Sequence, residues 1–281
     1  MESFQAIQPS ALLAPYVKQY WFITMDDAAR RSQRFIPAGC MGLAFNRIGN
    51  VYSSLEKDFL PSAYLFGQST NHATLSFNSL NLIIVVFQPT GAKAFLRNSM
   101  HELNEKIVAI NNLNEPQLRE LEFRLMDTTN NQACVFLIEQ FLLNQMKYFD
   151  EDNLKRMRDV MLSIHAGITD ISTLANATCL GYKQFKRIFT TYIGTNPKDY
   201  LRITRFQRAL QILYIYPQTN LNELACRCGY YDLSHFIKEF KEFSGYLPSE
   251  FLSVREPYSE PYSLFRSCFL EIKQSNNTNQ S

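Results

Sequence analysis

The chain has 281 residues, of which 46% are hydrophobic and 19% charged, and its formal net charge is +2. That apolar content can build a sizeable core, which excludes wholesale disorder, and the length suits one large domain or two ordinary ones. The opening MESFQAIQPS has no basic segment followed by an apolar one, and the longest apolar run, 82–87, is far shorter than a membrane span; neither a signal peptide nor a membrane partner is expected, and the cytoplasm is the expected compartment.

From 20 to 88 the chain reads as strands. The runs 20–24, 43–45, 64–66, 74–77 and 82–87 are short and rich in aromatic or β-branched residues. Turn residues separate them at 37–39, 49–50, 61–62 and 78–79. Short strands at this spacing predict a small barrel or sandwich-like domain. After Pro89-Thr90-Gly91 the apolar spacing becomes helical, with Leu118, Leu121 and Leu125, then Val135, Ile138, Phe141 and Leu142. Two helices, about 115–127 and 131–148, form a predicted hairpin that either links and dimerises the protein or packs on its own sheet.

Everything from Asn153 to about 256 reads helical, and charge is redistributed there. Residues 1–151 carry 12 basic and 14 acidic side chains, whereas 152–256 carry 14 and 10. Within 182–208, Lys183, Lys186, Arg187, Lys198, Arg202, Arg205 and Arg208 face a single acid, Asp199. A local basic stripe of this kind suits a face that meets phosphate, or else a solvated helix surface.

This region contains an internal repeat. Ile171, Leu174 and Ala175 recur 50 residues later as Leu221, Leu224 and Ala225; Phe185, Phe189, Gly194, Pro197 and Tyr200 recur 51 residues later as Phe236, Phe240, Gly245, Pro248 and Phe251. The second copy therefore has one extra residue in its turn. In each copy a short helix is followed by a tight connection and a second helix whose phenylalanines face inward. Asp232 is a good N-cap for the second of these helices, Gly181 is a weaker one at the matching place, and Gly194 and Gly245 are placed to end the helices. Two short helices joined by a tight turn, the second one basic, describe a helix-turn-helix. A helix over about 196–215 joins the copies; twenty residues span roughly 30 Å, close to the ~34 Å between successive major-groove faces on one side of a duplex.

The segments LANATCLGYKQFKRIFTTYIGTNPKDYLRITRFQRAL (174–210) and LACRCGYYDLSHFIKEFKEFSGYLPSEF (224–251) resemble the AraC family of bacterial transcription regulators. Ala225, Gly229, Asp232, Ser234, Phe236, Phe240, Lys241, Gly245 and Pro248 carry most of the likeness. It covers about 100 residues strongly, and RFIPAGCMGLAF (34–45) more loosely resembles the sensor or dimerisation domains of some members. Gly181 and Lys238 depart from it, standing where a Ser or Thr cap and an Arg are usual; Lys does not make the bidentate fork of Arg to guanine. The resemblance implies double-stranded DNA as partner, activation through contact with RNA polymerase, a small-molecule effector and a homodimer.

The expected architecture is thus a β-rich domain (1–112), a helical hairpin (113–150), an all-α double helix-turn-helix domain (151–256) and a tail (257–281). The tail holds the small repeat PYSEPYS at 257–263, and its Asn/Ser/Gln-rich end reads as disordered. Base reading falls to the exposed N-terminal half of each second helix: Tyr182, Lys183, Lys186 and Arg187 in the first unit, Leu233, Ser234, Ile237 and Lys238 in the second. Leu233 and Ile237 either touch thymine methyl groups or simply pack. Lys198, Arg202 and Lys241 are phosphate candidates, whereas Arg205 and Arg208 have the alternative of pairing with acids. An effector pocket in the β-rich domain could be lined by Trp21, Phe35, Phe45 and Phe87, with Tyr20 and Phe22 beside them, if these are not ordinary core.

The rival function, a small-molecule-binding or metal-dependent barrel enzyme, finds little support. His72 and His101 are 29 residues apart, and no Ser-His-Asp order, phosphate-binding glycine loop or HExxH motif is present. The six cysteines fit no disulfide framework, and Cys226 and Cys228 lack two further ligands nearby, so no metal or other cofactor is expected and the thiols are expected to be buried or half-buried.

Overall fold

Period-two burial organises the first half of the chain. The computed structural model describes residues 2–113, 115–146 and 151–251; the 257–263 repeat and the tail lie outside them. Eight strands form one antiparallel sheet in the order β1 (Glu2–Ile7), β2 (Val17–Phe35), β7 (Ala73–Phe87), β3 (Gly42–Ile48), β6 (Ala63–Phe66) and β8 (Ile107–Ala109), with β4 (Tyr52–Ser53) and β5 (Asp58–Phe59) attached beside β7. The expected turn at 78–79 is absent: β7 runs unbroken for 15 residues because the long β2 pairs with it on both sides of that point, Leu82 opposite Ile23 and Phe77 opposite Arg31. No pairing joins β1 to β8 among the described residues, so hydrogen bonds do not close the sheet into a barrel.

Register decides which side chains share a face. Trp21, Ile84, Ala44 and Tyr64 form one cross-strand row, and the next row is Phe22, Ile83, Phe45 and Ala63. Adjacent rows point to opposite faces. The Phe45 face, which also carries Tyr20, Leu43, Val85 and Phe87, is covered by α1 (Pro116–Asp127) and α2 (Asn131–Gln145). Leu118, Leu121, Leu125, Cys134, Val135, Ile138 and Leu142 of those helices are buried in that same core, so the hairpin packs on its own sheet. The Trp21 face carries a second apolar cluster with Ile23, Leu75, Leu82, Ile84 and Val86.

The helical half has two cores joined by one helix. In the first, α3 (Glu151–His165), α4 (Ile171–Ala177) and α5 (Tyr182–Ile193) bury Leu174, Ala175, Phe185 and Phe189. In the second, α7 (Leu221–Arg227) and α8 (Leu233–Ser244) bury Leu224, Ala225, Phe236 and Phe240, the same positions of the repeat. Between them α6 (Pro197–Ile215) gives Tyr200 to the first core and Ile203, Phe206, Leu210 and Leu213 to the second. Pro197 opens α6 at a position where its missing N–H costs nothing, and Asn196 caps it by accepting from the Asp199 N–H. Asp232 caps α8 by accepting from the His235 N–H at 2.7 Å, whereas Gly181 offers α5 no side-chain cap. Gly194 and Gly245 end α5 and α8 in the left-handed conformation, at φ 93° and 75°. The short α9 (Pro248–Phe251) closes the second unit.

Candidate nucleic-acid interface

The two second helices, α5 and α8, bury one stripe each and leave the opposite stripe open. On α5 the inward residues Phe185, Ile188 and Phe189 leave Tyr182, Lys183, Lys186 and Arg187 exposed, and Gln184 with them. On α8, Ser234, Lys238 and Lys241 are exposed, while Leu233 and Ile237 are half-buried and pack against the core of the second unit. Each of these two apolar residues thus packs along one side and keeps part of its surface open. The second unit is left with a smaller hydrogen-bonding surface than the first.

Lys198 is exposed near the start of α6. Arg202 is a different case from the other phosphate candidates. Its Nε donates to Glu239 at 2.8 Å, its Nη2 to Glu242 at 2.9 Å, and Asp199 lies 3.6 Å from Nη1. Burial works against its charge, but Glu239 and Glu242 outweigh that and raise its pKa. With its donors committed to three carboxylates, Arg202 is corrected from phosphate contact to a brace between α6 and α8. Arg205 joins the same brace, bidentate to Glu239 and stacked 4.4 Å above the ring of Tyr230. Arg208 is exposed.

Two exposed side chains next to this surface were not singled out by the sequence. Tyr231 is 92% exposed in the turn just before α8, and its only sequence signal is the extra residue in the second copy of the turn. Arg227, at the end of α7, is exposed and pairs with Glu223 at 3.7 Å.

The Trp21 face of the sheet lines a half-open cavity of about 170 Å³. Trp21, Phe35, Leu60, Tyr64, Leu82 and Ile84 make it mostly apolar, and Arg34, Glu56, Glu105 and Lys106 add polar groups. Burial pushes the Tyr64 hydroxyl pKa up, so the phenol stays protonated there. Phe45 and Phe87 do not line it. Both are fully buried on the helix-covered face, one register row away from Trp21 and Val86, so they are corrected from pocket to core; Tyr20 and Phe22 lie with them.

The thiols divide by position. Cys134 and Cys228 are buried and Cys40 is half-buried, but Cys179 and Cys226 are exposed, contrary to the expectation of burial for all. Among the described residues, no three His, Cys, Asp or Glu side chains come together as a metal site, and no helix is long and apolar enough to cross a membrane.

The β-rich domain touches both units. The carbonyl of Met100 lies 3.1 Å from where a Cβ on Gly194 would stand, and the Arg158 guanidinium sits 4.5 Å over the Tyr16 ring. At the other unit, Arg34 Nη1 donates to the Ser244 carbonyl at 3.2 Å, and its guanidinium lies 4.0 Å over the Tyr246 ring. His72 Nδ1 donates to the Glu242 carbonyl at 3.2 Å, since the carbonyl can only accept. Gln207 of α6 donates to the Pro37 carbonyl.

Residues 174–253 match a helix-turn-helix domain family, and residues 5–109 match a domain of unknown function, DUF6597. The HTH-type transcriptional regulator GadX of Escherichia coli is 38% identical over 58 residues, 21% of each chain. An uncharacterized HTH-type transcriptional regulator of the same species, YidL, is 27% identical over 132 residues, 44% of this chain and 43% of that one. GbdR of Pseudomonas aeruginosa is 26% identical over 110 residues, 37% of this chain and 29% of its own. This chain thus spans between about a fifth and under half of the length of these curated relatives. Among solved structures, ToxT from Vibrio cholerae aligns over 89% of this chain and 98% of its own, at 11% identity and a TM-score of 0.46. Over residues 174–253 the C-terminal domain is thus a helix-turn-helix domain.

Proposed function

We propose that the chain is a sequence-specific DNA-binding transcription regulator whose two helix-turn-helix units enter adjacent major grooves. The carrying observation is that α5 and α8, equivalent helices of a repeat, each present exposed polar and basic residues while α6 contributes to the cores of both units. Nineteen residues make α6 roughly 28 Å long, comparable with one turn of duplex. Lys183, Lys186 and Arg187 are the base readers of the first unit, and Ser234 and Lys238 those of the second. Lys198 and Lys241 meet phosphate, which sets position without choosing sequence.

The test is selection by the full chain from random-sequence duplexes at ~150 mM salt, where purely electrostatic binding is weak. The expected product is a motif of two short elements about one helical turn apart. Failure to enrich any motif would leave a helical bundle that only has the form of a DNA reader.

The β-rich domain is the regulatory part, and its cavity receives a compact, mostly apolar small molecule. The apolar lining with a few polar groups supports that reading. RNA polymerase and a second copy of the chain complete the partners that the family resemblance implies. Trp21, the single tryptophan, lies in the cavity wall and reports occupancy through its emission.

A further inference from the structure

The two DNA-reading units rest on different faces of the β-rich domain. The first unit is held through Met100 and Tyr16. Met100 is fully buried in the helix-covered core, Tyr16 packs against that core, and neither lines the cavity. The second unit is held through the segment 34–40 and through His72. Of that segment, Arg34, Phe35, Ile36, Pro37, Ala38 and Cys40 all line the cavity, as do Asn71 and Ala73 on either side of His72. The same stretch forms the docking surface for the helical half. Arg34 holds the Ser244 carbonyl and the Tyr246 ring at the end of α8, Ile36 packs on the core of the second unit, and the Pro37 carbonyl accepts from Gln207. Gly39, at φ 68°, lies against α6 where the two cores join: a Cβ there would stand 3.6 Å from Ile203 of the second core and 3.7 Å from Tyr200 of the first, whereas the contacts of Arg34 are with the second unit.

We propose that Arg34 is a positioning residue for DNA reading: it ties the orientation of the second reading helix, and not the first, to the wall of the cavity. A single thin segment is cavity wall on one side and helix support on the other. Whatever shifts that wall shifts α8 by its C-terminal end, while α5 stays anchored to the opposite face of the sheet. Cavity state therefore governs how well the second unit meets its element once the first is seated. Coupling of this kind is reciprocal, so engagement of the second element must be felt in the cavity wall, where Trp21 sits. The inference rests on the double-unit reading proposed above.

The experiment uses the full chain and two duplexes: the selected two-element site, and the same site with the second element scrambled. Affinity is read from labelled DNA and, separately, Trp21 emission is followed. Arg34→Ala is expected to weaken binding to the two-element site about tenfold, a typical coupling factor, and to leave binding to the scrambled site within about twofold. Wild-type Trp21 emission shifts on the two-element site only, and Arg34→Ala abolishes that shift. Tyr246→Leu removes the same contact from the DNA-binding side and guards against a folding defect in the first variant; Arg34→Lys, which keeps a donor and a cation, recovers most of the affinity. Equal loss on both duplexes, unchanged affinity in both Arg34→Ala and Tyr246→Leu, or the same Trp21 shift on both duplexes overturns the proposal. Absence of sequence-specific binding by the wild-type chain is instead the failure of the DNA-reading assignment.

Discussion

Arg205 and Glu239 form a bidentate pair, with Nη2 of the arginine 2.8 and 3.0 Å from the two carboxylate oxygens, and Arg202 Nε reaches the same carboxylate at 2.8 Å. Glu239 is only 3% exposed, so one buried acid on α8 is satisfied by two arginines from α6. A buried charge is tolerable when paired and hydrogen-bonded, and costly to leave half-paired. Glu239→Gln should therefore destabilise the protein by about 2 kcal/mol, less than a deeply buried pair because both arginines keep contact with water. The check is the thermal unfolding midpoint, which should fall, with the second DNA element losing more affinity than the first. An unchanged midpoint would mean that the arginines rehydrate without loss.

The reading helices are expected to differ in how they fail. Arg187→Ala should cost ~1–3 kcal/mol at one base step and relax the preference there, as for a good bidentate base contact. Lys198→Ala and Lys241→Ala should weaken all duplexes alike and reduce the dependence of affinity on salt, as loss of a phosphate contact does. Measuring each variant on the selected site and on random DNA at two salt concentrations separates the cases. Equal loss on both DNAs for Arg187→Ala would reassign it to phosphate.

Glycine substitutions should have opposite signs at two positions of the repeat. Gly181 caps α5 in extended geometry with open space around a built Cβ, so Gly181→Ser supplies the missing cap and should stabilise by roughly 0.5 kcal/mol. Gly245 sits at φ 75°, and a Cβ there would approach Arg34 Nη1 to 2.6 Å and His72 Nε2 to 2.7 Å. Gly245→Ala should cost at least ~1–2 kcal/mol from the left-handed backbone alone. Paired melting curves of the two variants are the measurement.

Thiol chemistry should follow burial. Burial pushes the Cys228 thiol up to about 11, with the nearby arginines only partly offsetting it. At pH 8 that thiol is protonated and shielded, whereas Cys179 and Cys226 are open to solvent. Site-resolved alkylation should label Cys179 and Cys226 well before Cys228 and Cys134. Early labelling of Cys228 would mean that α7 opens readily.

Much of this was legible in the chain because the helical half repeats itself. Apolar residues returning at offsets of 50 and 51 located both cores, both terminating glycines and the connecting helix, since helical periodicity is a local property. What sequence left open depends on contacts distant in the chain. Glu239, which accepts from Arg202, is 37 residues away from it, and nothing in the spacing joins the two. Phe45 and Trp21 are both aromatic strand residues, but a one-residue difference in register puts them on opposite faces, and register is set by pairing with β7. Asn78 and Ser79 have turn chemistry, yet pairing along the 19-residue β2 overrides it. Cys226 and Cys228 stand two residues apart at the end of α7, yet only Cys228 is buried, which residue type alone does not reveal.

The most direct test of the central claim is the spacing of the two elements. Once a site has been selected, five and then ten base pairs are inserted between its elements, and affinity for the full chain is measured. Five base pairs, about half a helical turn, carry the second element to the far side of the duplex; ten return it to the same side but about 34 Å farther away. Because α6 is continuous between the two units, both insertions should reduce affinity to that of a single element. Affinity that survives either insertion would contradict a pair of reading helices held at fixed separation by one helix.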